Sequence, residues 1–254
     1  MEQRCATTPD QLPQFDTGEL RERFLVEEVF VPGEVTAVYT HQYFLANREL
    51  GIVNVGGTGT VTADGETHTL PNGACLYVGR GTRDVVFADA PADSGTQAGA
   101  QFYLFRAPAH TTCPTQLVLK GEGTVRELGD QLTSNRRTLN QYIHENGIRS
   151  CQIMMGVTEL HPGSMWNTMP AHTHDRRTEC YLYFDVPEDA RVVHLCGEPA
   201  ETRHLVIADR QAVISPSWSV HCGVGTAAYS FVWAMAGENQ SFDDMDPAPV
   251  TALR

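Results

Sequence analysis

The sequence lacks a long hydrophobic run and any basic stretch. No segment approaches the ~18 apolar residues of a membrane helix, and the polar start MEQRCATTPDQLPQ has no apolar core of a secretory signal. Lys and Arg number 18 against 31 Asp and Glu, which gives a formal net charge of −13. This balance argues against nucleic acid or an anionic membrane as a partner. We therefore expect a cytoplasmic protein.

Paired cysteines are also missing. The seven cysteines are odd in number and form no CxxC pair, so neither a disulfide framework nor a zinc ribbon is indicated. Reduced thiols in a cytosolic protein explain them most simply.

Short strand-like segments dominate what is there. An alternating segment at 28–39 surrounds a Pro-Gly turn and predicts a hairpin, and 51–87 reads as a meander with a turn at Asp64-Gly65. Six further short strands follow in the second half with turn residues between them. This repetition predicts an all-β fold built from a duplicated β-barrel or jelly-roll module, with few helices.

The middle of the chain differs in composition. Residues 115–130 are polar and Gly-rich, so we place a domain boundary there, with residues 1–125 as the first domain and 126–254 as the second. Leu128–His144 has a candidate N-cap at Ser134 or Asn135 and is expected to form a short helix or a linker.

The segment PAHTHDRRTECYLY, at 170–183, carries the strongest chemical signal. His172 and His174 are two residues apart, so both imidazoles face the same way on a strand. Glu179 needs a turn or bulge to join them, because five is an odd spacing. His221 follows a later strand that antiparallel hairpins would return beside the first. Three imidazoles and a carboxylate suit zinc, or iron, manganese or nickel.

The remaining histidines are weaker candidates. We interpret His41 and His68 as surface residues, and His194 and His204 as structural histidines inside the barrel. His110 lies in a turn-rich segment that either lines a site or forms a structural loop. Since the first half has no comparable set of ligands, we expect its domain to be a scaffold without metal.

Two arginine doublets stand out in this acidic chain, at 136–137 and 176–177. A carboxylate substrate would need an arginine fork, and Arg176 and Arg177 adjoin the metal motif, so these two are the predicted substrate-binding residues. The acidic segment 237–246 is expected to be solvated or to lie at a subunit interface. Cys180 and Cys222 are interpreted as packing residues.

Long segments of the chain resemble the 5-keto-4-deoxyuronate isomerase family. The segments that carry the resemblance are FLVEEVFVPGEVTAVYTH, RELGIVNVGGTGTVTADG, LYVGRGTRDVVFA, APAHTTCPT, LTSNRRTLNQY, WNTMPAHTHDRRTECYLYF, ETRHLVIADRQAVISPSWSVHCGVGT and GENQSFDDMD. The resemblance implies a bicupin fold of two cupin-type β-barrels and a cytoplasmic homohexamer. It also implies one zinc ion per chain on His172, His174, Glu179 and His221.

The resemblance further implies an activity. The family's enzymes convert 5-dehydro-4-deoxy-D-glucuronate to 3-deoxy-D-glycero-2,5-hexodiulosonate in pectin breakdown, an aldose–ketose isomerisation. Such a reaction needs a group that moves a proton, and Tyr181, Tyr183 and His110 are the candidates. Two other functions stay open on the residues alone: an iron-dependent cupin dioxygenase and a non-catalytic sugar-acid-binding bicupin.

The chain departs from the family pattern at one place. Family members carry an additional Gly-rich segment after the strand that ends here at Tyr39-Thr40-His41, whereas this chain continues directly with Gln42. If that segment closes over the site, its absence would alter both activity and any contribution of the first half to the site.

Overall fold

The computed structural model describes residues 8–27, 43–90 and 99–254. The hairpin predicted at 28–39, His41 and the departure from the family pattern after His41 lie outside these residues.

Strands are the dominant regular structure of the described chain, as the sequence predicts, and their pairings are antiparallel. The strands up to residue 128 are β1 (Leu25–Val26), β2 (Arg48–Asn54), β3 (Gly59–Ala63), β4 (Glu66–Leu70), β5 (Cys75–Val78), β6 (Val85–Asp89), β7 (Phe102–Pro108), β8 (Gln116–Val118) and β9 (Thr124–Leu128). Those that follow are β10 (Arg137–Ile143), β11 (Ile153–Leu160), β12 (Trp166–Thr173), β13 (Arg177–Phe184), β14 (Val192–Glu198), β15 (Glu201–Ile207), β16 (Ala212–Ser215), β17 (His221–Gly225), β18 (Ser230–Gly237) and β19 (Asp246–Ala248).

The strands of the described residues form four sheets. A seven-stranded sheet has the order β1-β16-β13-β18-β11-β10-β9, and a five-stranded sheet has the order β15-β14-β17-β12-β19. The first half contributes a four-stranded sheet, β7-β2-β5-β8, and a three-stranded sheet, β4-β3-β6. The predicted turn at Asp64-Gly65 joins β3 to β4 and is confirmed, since both residues have positive φ, 45° and 89°.

Strand periodicity decides which sheets pack together. On β18, Phe231, Trp233 and Met235 face a core shared with the five-stranded sheet. The residues between them, Val232 and Ala234, face the opposite way, into a core shared with the first half's four-stranded sheet. The centre of the seven-stranded sheet is therefore buried on both faces, which explains the nearly continuous apolar sequence of β18.

The N-terminal residues pack on the second half of the molecule. Helix α1 (Thr17–Phe24) begins at Asp16, whose side chain accepts a hydrogen bond from the Glu19 N–H at 3.0 Å. Its buried face joins the core of the second half, and β1 pairs with β16. Two short 3-10 helices cover Pro9–Gln14 and Val250–Ala252. No helix among the described residues is long and apolar enough to cross a membrane.

The prediction for Leu128–His144 is wrong. Residues 137–143 form β10, which pairs with β9 on one side and β11 on the other. The polar composition favours a helix or linker. In the sheet, however, β10 forms backbone hydrogen bonds with a strand on each side, and this pairing outweighs the local conformational preference of its residues. The polar side chains of Asn140 and Gln141 are themselves buried, with 2% and 3% exposed.

Candidate metal centre and adjoining cavity

The four predicted metal ligands come together between two sheets. His172 on β12 is the cross-strand partner of His221 on β17 in the five-stranded sheet. His174 follows the end of β12, and the chain then turns into β13 of the seven-stranded sheet, which carries Glu179. The turn at 174–176 thus brings Glu179 to the histidines, as its odd spacing requires.

The potential ligand atoms of these four residues all lie within 4.8 Å of one another. Glu179 Oε2 is 3.1 Å from His174 Nε2 and 3.0 Å from His221 Nε2. His221 Nε2 is also 3.0 Å from His172 Nε2. Ligand atoms that share an ion at 2.0–2.1 Å are separated by about 3.0–3.4 Å, so this group could hold a metal ion.

Outer hydrogen bonds fix the orientation of two of the imidazoles. His174 Nδ1 is 3.1 Å from the carbonyl of Asp244, and His221 Nδ1 is 3.3 Å from the carbonyl of Ser219. A carbonyl only accepts, so Nδ1 of His221 carries the proton and its Nε2 presents a lone pair to the group, as a ligand through Nε2 requires. His174 Nδ1 also lies 3.2 Å from Nη2 of Arg177, which only donates, so this atom faces both a donor and an acceptor.

The protonation states also suit a cation. Burial lowers the pKa of His172 to about 3, with the neighbouring His221 acting in the same direction. Burial alone would raise the pKa of Glu179, but the imidazoles of His221 and His174 outweigh it and hold that pKa well below its usual value. A neutral imidazole and an ionised carboxylate are the forms that bind metal.

A cavity of about 270 Å³ adjoins the ligands. His172, His174 and Glu179 form part of its lining, whereas most of the remainder is apolar. The apolar side chains are Leu128, Leu139, Met169, Pro170, Ala171, Phe231, Trp233, Met235, Phe242, Met245 and Pro247. An apolar cavity with a few convergent polar groups is the usual form of a small-molecule site.

The wall next to His172 has unusual backbone. Thr168 has a φ of 52°, although it is β-branched, and the Met169–Pro170 peptide bond is cis. The pairing of β12 with β17 shifts register between Asn167 and His172. Thr168 lines the cavity, so the left-handed backbone at Thr168 and the register shift shape the wall that leads to the ligands.

The three proton-transfer candidates occupy different environments. Tyr181 lines the cavity, and its hydroxyl is 3.4 Å from Thr168 Oγ1. Burial and then the charge of Glu179 raise its pKa well above 10. Tyr183 shares the inward face of β13, as predicted, but lies outside the lining, with its hydroxyl 2.7 Å from His194 Nδ1. His110 is exposed and does not line the cavity.

Neither predicted substrate-binding arginine lines the cavity. The exposed Arg176 donates to Glu238 at 2.7 Å. Arg177 is 1% exposed and donates to the carbonyls of Ser241, at 2.7 Å, and Asp244. Arg177 therefore fastens the segment whose Asp244 carbonyl orients His174. Their role as substrate ligands stays a prediction.

The sequence did not assign Arg126, Arg137 or Trp233 to the site, yet all three line the cavity. Arg126 lies on β9 and Arg137 on β10, the strand for which the sequence predicts a helix or linker. Trp233 lies across Gly156 on the neighbouring strand, where a Cβ would come within 2.2 Å of its ring. Its buried indole N–H has no hydrogen-bond partner among the described residues. In the sequence, the arginine doublet at 136–137 was the one sign that the β10 segment contributes to the cavity.

Other predictions about individual residues have mixed outcomes. His194 is fully buried, as a structural barrel histidine should be, whereas His204 is exposed, so that prediction was wrong for His204. His68 is half-buried on β4. Within the acidic segment, the carboxylates of Asp243 and Asp244 are exposed, but the backbone packs against the metal ligands.

Comparison with known proteins gives a consistent family. The chain is 64% identical to the 4-deoxy-L-threo-5-hexosulose-uronate ketol-isomerase of Kineococcus radiotolerans, over all of both chains. It is 51% identical to the protein of that name from Bacillus pumilus, again over all of both chains. For the Escherichia coli K12 DH10B protein of that name, the identity is 50% over 94% of this chain and 95% of the other. The first alignment spans 281 positions, more than the 254 residues of this chain, so the relative has residues without a counterpart here.

Solved structures share the fold at low sequence identity. An IolB-like protein from Salmonella typhimurium LT2 aligns with a TM-score of 0.65 and 16% identity, covering 78% of each chain. The oxalate decarboxylase of Lactobacillus farciminis aligns with a TM-score of 0.56 and 11% identity, covering 80% of this chain and 74% of the other. The family model for KduI/IolB proteins matches residues 22–250. This chain therefore belongs to the KduI/IolB family.

Proposed function

We propose that this protein is a metal-dependent aldose–ketose isomerase that converts 5-dehydro-4-deoxy-D-glucuronate to 3-deoxy-D-glycero-2,5-hexodiulosonate. The observation that carries the proposal is the buried group of three histidines and one glutamate beside a cavity. It occurs in a chain whose full-length relatives are named ketol-isomerases. The substrate is a small uronate, in keeping with the size of the cavity.

We assign one zinc ion per chain to His172, His174, Glu179 and His221. Zinc suits three nitrogens and one oxygen, and it has no redox chemistry that would divert a reactive sugar. When bound, the ion would supply Lewis-acid polarisation of the substrate's carbonyl and adjacent hydroxyl oxygens. The donor set and its protonation support this assignment, as described above.

The residues of this chain would hold the substrate and move its protons. The isomerisation transfers a proton from the hydroxyl-bearing carbon to the neighbouring carbonyl carbon, and the hydroxyl proton to the carbonyl oxygen. Of the three candidates, Tyr181 is the one that lines the cavity beside Glu179, so we assign the proton transfer to its hydroxyl. The apolar walls would exclude water from the substrate.

The same proposal extends to architecture and assembly. Each half would be a cupin-type barrel, with residues 1–125 as a scaffold without metal and 126–254 as the domain that carries the zinc, in a cytoplasmic homohexamer. Sedimentation equilibrium tests the assembly, because a hexamer has six times the mass of the 28.0 kDa chain. A monomer at micromolar concentration would contradict it.

The decisive experiment is an isomerisation assay with the 5-keto-4-deoxyuronate released by oligogalacturonide lyase, with metal content and oxygen uptake measured on the same sample. We expect turnover without oxygen uptake, about one zinc per chain and loss of turnover in His172→Ala. Oxygen consumption with bound iron would indicate a dioxygenase instead. Uronate binding without turnover would indicate a binding protein. Full activity in metal-free protein would refute the role of the metal.

A further inference from the structure

Arg137 places its guanidinium at the cavity. It occupies an inward position on β10, two residues before the core residue Leu139, and both line the cavity. One of its nitrogens, Nη1, donates to the carbonyl of Asn135 at 2.8 Å. Within the described residues, no carboxylate forms an ion pair with Arg137, although a guanidinium has five N–H donors.

The other charged groups in the lining are differently placed. Arg126 lies 3.8 Å from Asp243, which also lines the cavity, and both side chains are solvated at the surface. Glu179 belongs to the ligand group. Arg137 is half-buried, and burial lowers its pKa because the surroundings solvate its charge poorly. An anion in the cavity would supply the missing compensation.

Arg137 shares its cavity with Tyr181 and three of the metal ligands. Arg137 lies on β10, whereas Tyr181 and Glu179 lie on β13 of the same sheet, with β11 and β18 between the two strands. Arg137 and the ligand group therefore lie at different parts of one cavity. A six-carbon uronate has its carbonyl at one end and its carboxylate at the other.

We propose that Arg137 binds the carboxylate of the uronate substrate, so that the opposite, reacting end of the sugar lies at the ligand group beside Tyr181. This inference rests on the proposed function. It makes Arg137, rather than Arg176 or Arg177, the residue that selects an acid over a neutral sugar. A bidentate guanidinium–carboxylate pair would also fix the orientation of the substrate.

The test compares D-glucuronate with its uncharged methyl ester, by calorimetric binding to the metal-loaded protein. The wild type should bind the acid at least about tenfold more tightly than the ester, the preference expected from charge-assisted hydrogen bonds. Arg137→Met, which keeps the aliphatic stem, should abolish this preference and raise the KM for the substrate by a similar factor. Arg137→Lys, which keeps the charge but not the fork, should retain part of the preference and guards against a folding defect in the methionine variant.

The matched control is Arg203→Met, which also removes one positive charge, but from a half-buried pair with Glu201 that does not line the cavity. This variant should keep the full preference. A wild type that does not prefer the acid, or an Arg137→Met variant that keeps the preference, would overturn the inference. Loss of the preference in Arg126→Met instead would also overturn it. If the wild type prefers the acid through Arg137 yet does not isomerise the substrate, the proposed activity fails while the carboxylate site stands.

Discussion

Glu49 connects the first half of the chain to the second through a fully buried carboxylate. Its Oε2 accepts hydrogen bonds from the Cys151 N–H at 2.7 Å and the Tyr77 hydroxyl at 2.8 Å. Its Oε1 accepts from the N–H groups of Gln152, at 2.7 Å, and Ile153, at 2.9 Å. Each oxygen thus satisfies two donors, and three of the four donors are backbone N–H groups at the start of β11.

Glu49→Gln should destabilise the fold strongly for a change of one atom. The amide NH₂ replaces one oxygen and faces two donors, which lose their acceptor. A buried donor without a partner costs about 1–3 kcal/mol, so the free energy of unfolding should fall by about 2–6 kcal/mol. This is a large part of the roughly 5–15 kcal/mol by which folded proteins are stable. Urea unfolding, followed by tryptophan fluorescence and circular dichroism, measures the loss.

Glu122→Gln is the matched control for this experiment. Its exposed carboxylate accepts one backbone N–H, from Leu119 at 3.2 Å, and water can replace that bond. We expect its free energy of unfolding to stay within about 0.5 kcal/mol of the wild type. Equal stabilities for Glu49→Gln and Glu122→Gln would show that the four hydrogen bonds to Glu49 are not an important link between the two halves.

Three further predictions concern the site. Glu179→Gln should lose its metal on dialysis together with at least about a hundredfold in turnover; zinc retained at a lower rate would assign Glu179 to tuning or proton transfer instead. Trp233→Phe removes an indole N–H that has no partner among the described residues. If the substrate accepts a hydrogen bond from this N–H, KM should rise roughly 2–10-fold. An unchanged KM would show that the substrate does not use this donor. Burial lowers the pKa of His194 to about 3, whereas an unfolded histidine titrates near 6.5. Because the unfolded chain takes up the proton first, the free energy of unfolding should fall from pH 6.5 towards pH 3, by about 2 kcal/mol at pH 5. Urea unfolding of chelator-treated protein measures this, and His194→Gln should give a flatter dependence of the free energy of unfolding on pH. The same slope in wild type and variant would contradict the reasoning.

The metal ligands were predictable because their signal is local. His172 and His174 share a strand face by periodicity alone, and Glu179 required one turn whose position the DRR segment suggested. The distant His221 needed only antiparallel pairing of β12 with β17, and the structure shows that pairing. The four residues could therefore be grouped without knowing how the sheets stack.

The carboxylate end of the cavity was not predictable in the same way. Its arginine lies on β10, whose sequence RTLNQYI has buried polar side chains and no clear alternation. Pairing with β9 and β11 decides that this segment is a strand, and strand pairing is a property of the whole sheet. The same applies to Glu49, since its acceptor role depends on N–H groups more than a hundred residues away.

The stacking of the sheets also gives the first half a physical role at the site. The β11 residue Ile153 bonds to Glu49 through its backbone. The next residue, Met154, faces the opposite way, and its sulfur accepts a hydrogen bond from Arg177 at 3.1 Å. Arg177 in turn holds the Asp244 carbonyl that orients His174. A continuous series of contacts therefore connects the first half to the metal ligand His174. The described residues of the first half contain no comparable ligand group, but these contacts support the ligand geometry in the second half.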